Sequence, residues 1–291
     1  MSTQFDNIQR QHPCFAKGGM AKTGRIHLPV SPGCNIGCVF CCPAINDNKQ
    51  APAVTRKIMK PDQAVSLVGR SLELCPSIKV VGIAGPGDTL ATDNALETFR
   101  RVGQAYPHLL KCMSTNGLLL PERIDELVQV GIDTLTVTVN AVDPAIEAQL
   151  NTHIIYHGKR IVGQPAAQIL INNQLEGIRL AAQAGITVKV NTVLVPGIND
   201  SHIEDIAKAV SEAGATIYNI IPLIPQGELD NVARPTCKQI DAARQKAEKH
   251  LLVFRHCQHC RADAIGIPGE KDYGDQIYLR RVAGKETFSH G

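Results

Sequence analysis

From about residue 24 onward, short runs rich in β-branched residues alternate with longer stretches whose apolar positions recur at helical spacing. The runs 26–30, 79–84, 109–114, 134–140, 187–195 and 216–223 predict strands. The stretches 61–74, 94–106, 121–130, 166–184, 200–213 and 235–250 predict helices. Gly131, Gly185 and Gly214 each follow a predicted helix and precede a predicted strand, where a left-handed cap belongs. Pro61 and Pro121 occupy first-turn positions.

Six strand–helix units without consecutive hairpins predict a parallel sheet with right-handed crossovers. A closed eightfold barrel would take about 250 residues in its units alone, and here six units and two tails fill 291 residues. The expected fold class is therefore α/β, an open, partial (βα)6 TIM-like barrel. Residues 1–23 form an N-terminal extension carrying Cys14, 24–250 the barrel, and 251–291 a C-terminal extension. Ligands of such sheets sit at the C-terminal ends of the strands. The tract 151–165 breaks the rhythm and reads as an insertion able to cover that end. The polar ends, 1–11 and 284–291, are expected to be mobile.

Hydrophobic residues make up 44% and charged residues 20%, which suits a packed core and excludes a disordered chain. A net charge of +3 gives no electrostatic case for nucleic acid or an anionic membrane surface. No apolar run reaches the ~18 residues of a span, and the first residues lack the regions of a signal peptide. A soluble, cytoplasmic protein is expected. The ten cysteines change the picture further. Cys34, Cys38, Cys41 and Cys42 crowd one loop and Cys257 and Cys260 another, while Cys14, Cys75, Cys112 and Cys237 stand alone. Clustered thiols in a reducing compartment point to metal rather than disulfides.

The first strand leads into Ser31-Pro32-Gly33-Cys34-Asn35-Ile36-Gly37-Cys38-Val39-Phe40-Cys41, a C-x3-C-x2-C loop. Three thiolates can hold three irons of a four-iron cluster and leave the fourth free. A zinc site would want a fourth protein ligand, which Cys42 offers only at awkward adjacent geometry. Gly82-Ile83-Ala84-Gly85-Pro86-Gly87-Asp88 ends the second strand and Ser114-Thr115-Asn116-Gly117 the third. Gly85 and Gly87 permit close backbone approach to a ligand, and Asp88 adds a carboxylate. Together with Ser114, Asn116, Asn140 and Asn191 they suggest a polar ring around a bound nucleotide. The loop and its position resemble the radical S-adenosylmethionine (SAM) superfamily. That resemblance implies that Cys34, Cys38 and Cys41 carry the catalytic [4Fe–4S] cluster, that its free iron chelates the nucleotide, and that one electron cleaves the sulfonium to a 5′-deoxyadenosyl radical.

Near the C-terminus, His256-Cys257-Gln258-His259-Cys260 is a metal-ligand pattern, for zinc or a second cluster. His12-Pro13-Cys14-Phe15 offers another thiol, and Cys112 lies on the third strand, where it could face the lumen. These segments, the loops above, Lys189-Val190-Asn191-Thr192 through Pro196-Gly197-Ile198-Asn199-Asp200, and Cys257-x2-Cys260-Arg261-Ala262-Asp263-Ala264 occur in the order of the NifB family of nitrogenase cofactor biosynthesis. The chain resembles that family from about residue 12 to 270. The resemblance implies fusion of two accessory [4Fe–4S] clusters into an iron–sulfur–carbide precursor, the carbon coming from the SAM methyl group. It further implies that Cys257 and Cys260 hold one accessory cluster and Cys14 and Cys112 the other. Cluster donors, a cofactor carrier or scaffold, and a reductant such as ferredoxin or flavodoxin are the implied partners, for a chain expected to be a monomer.

The chain departs from the family in two places. After Cys42 the family runs through Asn-Arg-Lys-Tyr-Asp-Cys and Asn-Glu-Ser-Arg-Pro-Gly, whereas here 43–53 contains neither that cysteine nor that glutamate. Lys17-Gly18-Gly19-Met20-Ala21 replaces the family's Ala-His-His. A related radical enzyme with another substrate is the alternative these changes favour. A non-catalytic cluster carrier would need none of the nucleotide loops. Cys75 and Cys237 read as incidental thiols, His27 reads equally as core residue or ligand, and His153 and His157 are only near candidates.

Overall fold

Each strand of the central sheet presents alternate residues to opposite faces, and the two sets differ sharply in chemistry. Ile26, Val81, Ile83, Met113, Leu135, Val137, Val188, Val190, Ile220 and Val253 face the helices and share one hydrophobic core with them. The intervening positions hold Arg25, His27, Gly82, Cys112, Ser114, Thr134, Thr136, Lys189, Asn191 and Asn219. The first face drives folding by apolar burial; the second lines the lumen.

The computed structural model describes residues 3–16, 22–47, 49–278 and 289–290. Eight strands make the main sheet: β1 (Gly24–His27), β2 (Ile78–Ile83), β3 (Leu110–Thr115), β4 (Thr134–Thr138), β5 (Thr187–Leu194), β6 (Ile217–Pro222), β7 (Leu252–Phe254) and β8 (Ile265–Gly266). They lie in the order β7-β6-β5-β4-β3-β2-β1-β8. All neighbours are parallel except β8, which runs antiparallel to β1 with Arg25 opposite Gly266. The crossovers are the helices Pro61–Leu74, Asn94–Ala105, Leu120–Val130, Gly163–Gln183, Ile203–Glu212 and Cys237–Ala247. The fold is the expected α/β partial barrel. The six predicted strands are joined by β7 and β8, both too short for a periodic signal.

Local chemistry explains the element ends. Pro61 starts its helix at the first turn. Gly131, Gly185 and Gly214 take φ of 70, 83 and 106°, the left-handed caps predicted for them. The insertion is a β-hairpin, Asn151–Tyr156 against Lys159–Ile161, turned by His157 and Gly158, both at positive φ. Its first strand pairs with Ile36–Cys38 of the cysteine loop, Ile154 opposite Ile36 and Asn151 opposite Cys38. The insertion thus clamps the loop from behind.

The N-terminal end is a correction. Residues expected to be mobile include a helix, Thr3–Gln11, whose Phe5 and Ile8 pack with Phe15, Ile217 and Phe254. Phe5, Ile8 and His12 recur at helical spacing, but three buried positions in a polar segment are too weak a signal to separate from a solvated tail. Residues 17–21, where the chain departs from the NifB pattern, lie outside the described residues, as do most of 284–291. Among the described residues, no helix is long and apolar enough to cross a membrane.

Gly131→Ala is expected to destabilise the fold by about 1–2 kcal/mol, because its left-handed backbone disfavours a Cβ. Urea unfolding would show the midpoint falling at unchanged slope.

Candidate active site

The cysteine loop leaves β1 and is held against the loop that follows β2. The Gly87 N–H donates to the Ser31 carbonyl at 2.9 Å and the Asp88 N–H to the Gly33 carbonyl at 2.9 Å. A side chain at residue 87 would overlap the Gly33 carbonyl, so glycine there serves loop-to-loop contact. Asp88 is buried and accepts from the Asn116 N–H at 2.6 Å, the Leu90 N–H at 2.9 Å and the Thr115 hydroxyl. Burial raises its pKa against these bonds. Asp88 therefore ties the second and third strand ends together beneath the cysteines.

Cys34, Cys38 and Cys41 come together on this frame. Burial, followed by the neighbouring Asp88 charge, pushes the Cys34 thiol up to about 11. Burial, then the Cys34 charge, pushes Cys41 up to about 12. Burial, then the charges of Cys41 and Cys34, also pushes the Cys38 thiol well up. The Asn116 side-chain amide lies 3.9 Å from the Cys34 sulfur and donates to Asn35 Oδ1 at 2.6 Å. Ser114 accepts from the Thr89 hydroxyl through its carbonyl at 2.6 Å. Asn140 accepts from the Val193 N–H at 3.0 Å, and Asn191 accepts from Asn219 Nδ2 at 3.0 Å. Gly85, Gly87, Asp88, Ser114, Asn116 and Asn140 all sit at or beyond strand C-termini; Asn191 lies inside β5.

Buried polar atoms without protein partners mark room for ligands. Ser31 Oγ, Asn35 Nδ2 and Asn219 Oδ1 are three of them. They fit a polar nucleotide, and three thiols on one short loop fit three irons of a four-iron cluster. As cluster ligands the thiols must lose the protons that burial makes them keep, so cluster binding and proton release are coupled.

The second thiol group gathers deeper in the lumen. Cys14 is pushed up to about 12 by burial, with Cys260, Cys112 and Cys257 adding to the rise and Lys189 opposing it. Cys14 and Cys257 pack against the same cluster of Phe5, Ile8, Phe15, Ile217 and Phe254. Arg25 donates from one guanidinium nitrogen to the Cys260 sulfur at 3.1 Å and from another to the Gly266 carbonyl at 2.8 Å. Four thiols from three separate segments thus share one neighbourhood.

His27 is better defined than its sequence position indicated. Its Nδ1 lies 3.0 Å from the Arg261 carbonyl, which can only accept, so Nδ1 carries the proton and Nε2 keeps its lone pair. Burial lowers its pKa to about 4, leaving the ring neutral. This is the state of a metal-ligating imidazole. Gly82 stands between His27 and Cys112 in the sheet register, and a Cβ there would lie 2.9 Å from the His27 ring. His12 accepts the Cys14 N–H at its Nδ1, 3.1 Å away, and its buried Nε2 has no partner.

The departing loop has its own anchor. Arg261, fully buried, donates to the Asn46 and Lys49 carbonyls at 2.7 and 2.6 Å and pairs with Asp263 at 2.8 Å. The C-terminal segment therefore fixes the stretch in which the family's extra cysteine is absent. Cys75 is buried beside Ser77 and Cys237 is exposed, away from both thiol groups. His157 reaches Glu122 at 3.3 Å, and His153 contacts Thr152 behind the cysteine loop. Sequence reasoning missed Arg25, Lys189 and Glu147. For Lys189 a signal existed: a lone charge among the otherwise uncharged residues of a buried strand.

An open parallel barrel with three thiols on the loop after its first strand is the organisation of radical SAM enzymes. The sequence profile of the Radical SAM superfamily matches residues 28–210. A radical SAM methyltransferase from Sphaerobacter thermophilus shares the fold, with a TM-score of 0.61 and 18% identity over 82% of this chain and 69% of that one. The FeMo cofactor biosynthesis protein NifB of Methanocaldococcus jannaschii is 40% identical over 295 residues, covering 99% of this chain and 98% of that relative. That of Klebsiella pneumoniae is 41% identical over 89% of this chain, which spans only 57% of that longer relative. The chain belongs to the NifB family of radical SAM enzymes.

Glu147 offers a test of the electrostatics behind the loop. It is fully buried, its Oε1 bonded to the Asn151 amide and its Oε2 unpartnered, and burial pushes its carboxyl up to about 8. The folded chain keeps this proton after the unfolded chain has released it. The stability it lends is full below the ordinary carboxylate value and is lost as pH rises through about 8. Glu147→Gln should flatten that dependence, so urea unfolding of variant and parent should diverge from pH 5 to pH 8. Parallel curves would contradict the assignment.

Proposed function

We propose that this protein acts in FeMo cofactor biosynthesis, fusing two four-iron clusters into an iron–sulfur–carbide precursor, with the carbide carbon taken from the SAM methyl group. The observation that carries this reading is the convergence of Cys14, Cys112, Cys257, Cys260 and His27 inside one polar lumen.

In this account Cys34, Cys38 and Cys41 hold the [4Fe–4S] cluster and leave one iron for SAM. When bound, the reduced cluster supplies the electron for lyase-type cleavage of the sulfonium to a 5′-deoxyadenosyl radical. The protein's part is positioning and exclusion of water. Gly85, Gly87 and the Asp88-tethered loop set the floor for the methionine part of SAM. Ser114, Asn116, Asn140 and Asn191 present polar groups to the nucleotide. The hairpin on Ile36–Cys38 shields the loop from solvent.

The two accessory clusters are substrates. Cys14, Cys257 and Cys260 form one receiving site, Cys14 and Cys257 sharing the packing of Phe15 and Phe254. Cys112 and His27, facing each other across Gly82, receive the other. Cluster donors, a carrier for the product and a ferredoxin- or flavodoxin-type reductant complete the system. A second reading has a specific observation behind it: the loop anchored by Arg261 carries no thiol after Cys42, so the Cys112 and His27 site lacks a second cysteine. On that reading a NifB-like radical enzyme keeps one auxiliary cluster and acts on another substrate.

Cys34→Ala should abolish 5′-deoxyadenosine formation under reducing conditions while leaving iron at the other sites; a variant that still makes it contradicts the radical assignment. Cys257→Ala should lose about four irons and keep the cleavage. Complementation of a strain lacking its own maturase separates the two readings. Soluble, cluster-loaded protein that restores no nitrogenase activity rejects cofactor assembly.

A further inference from the structure

Among the described residues, Lys189 is a buried cation with no carboxylate partner. It occupies an inward position of β5 and is 6% exposed. Its ammonium lies 5.1 Å from the ring centre of Phe15 and 5.7 Å from that of Phe254. The aromatic faces attract it through their quadrupoles but bring no negative charge. Among the described residues, the arginines and lysines that pair with carboxylates are Arg56, Arg100, Arg101, Arg123, Arg179, Arg244, Lys249, Arg255 and Arg261. Lys189 is not one of them.

A buried ammonium with no counter-ion is costly, and an apolar residue would fill the same strand position without that cost. The surroundings name the missing charge. Phe15 is the residue after Cys14, and Phe254 lies three residues before Cys257. The two rings that bracket the ammonium are thus carried by the two segments that carry thiols, and Cys14 and Cys257 pack on the same aromatic cluster. A [4Fe–4S] core held by three thiolates carries net negative charge, and more of it when reduced.

We propose that Lys189 is a positioning residue, the fixed counter-ion that holds an anionic iron–sulfur cluster among Cys14, Cys257 and Cys260 and favours its reduced form. This rests on the accessory site assigned above and adds how the protein sets that cluster's charge and potential. Arg25 of β1, donating to the Cys260 sulfur, adds a second positive group to the same thiols.

The test uses the full chain, reconstituted anaerobically with iron and sulfide, in three forms: parent, Lys189→Met and Lys189→Arg. Iron per chain is measured with a redox titration followed by paramagnetic resonance. The SAM-responsive cluster serves as internal reference. In Lys189→Met the accessory signal should move to lower potential by at least about 59 mV, so that the reduced-to-oxidised ratio at the parent's midpoint falls at least tenfold for one electron. Lys189→Arg should titrate like the parent. Loss of about four irons in Lys189→Met, with Lys189→Arg fully loaded, also supports the proposal, since charge and not shape is then required. An unchanged potential in a fully loaded Lys189→Met overturns it alone, as does equal iron loss in both variants. A parent chain that loads only the SAM-responsive cluster overturns the accessory site and this proposal together.

Discussion

Burying polar and charged side chains inside a sheet is the constraint on which the rest of the structure depends. An inward-facing row of thiol, imidazole, hydroxyl, amide and ammonium groups is unfavourable unless each finds a partner. The cost is offset on the other face, where Ile26, Val81, Met113, Leu135, Val188, Ile220 and their neighbours pack against six helices. Some inward groups are satisfied within the protein, such as Asp88 by Asn116, Leu90 and Thr115. Others are not: His12 Nε2, Arg25 Nε, Ser31 Oγ and Asn219 Oδ1 remain buried without protein partners. These are the places where bound groups complete the structure.

The same burial governs the thiols. Cys14, Cys34, Cys38 and Cys41 are all driven upward in pKa, so the cluster-free protein holds them protonated. Iron then competes with protons, and loading couples to proton release. The fixed positive charge of Lys189 biases that competition toward the thiolate form at Cys14. The hairpin, the N-terminal helix and the Arg261 anchor hold the thiol-bearing segments in place before any cluster arrives.

Much of this was legible in the sequence because its signals are local. Period-two and helical periodicity, Gly131, Gly185 and Gly214 at helix ends, and the C-x3-C-x2-C spacing each depend on a few neighbouring residues. What escaped depends on long-range contact. The helix over Thr3–Gln11 is stable only because Phe5 and Ile8 meet Ile217 and Phe254. β7 and β8 are too short to show a period. His27 reads as a ligand only once Nδ1 is seen on the Arg261 carbonyl, and the unpaired charge of Lys189 is visible only when its neighbours are known. The cysteine missing after Cys42 was legible, but its consequence for the lumen was not.

Iron and sulfide per chain after anaerobic reconstitution, with paramagnetic resonance before and after adding SAM, tests the central claim most directly. Cofactor assembly predicts about twelve irons per chain, three clusters of four, with one signal altered by the nucleotide. About eight irons or fewer, even with the nucleotide response intact, would contradict it and leave a radical enzyme with another product.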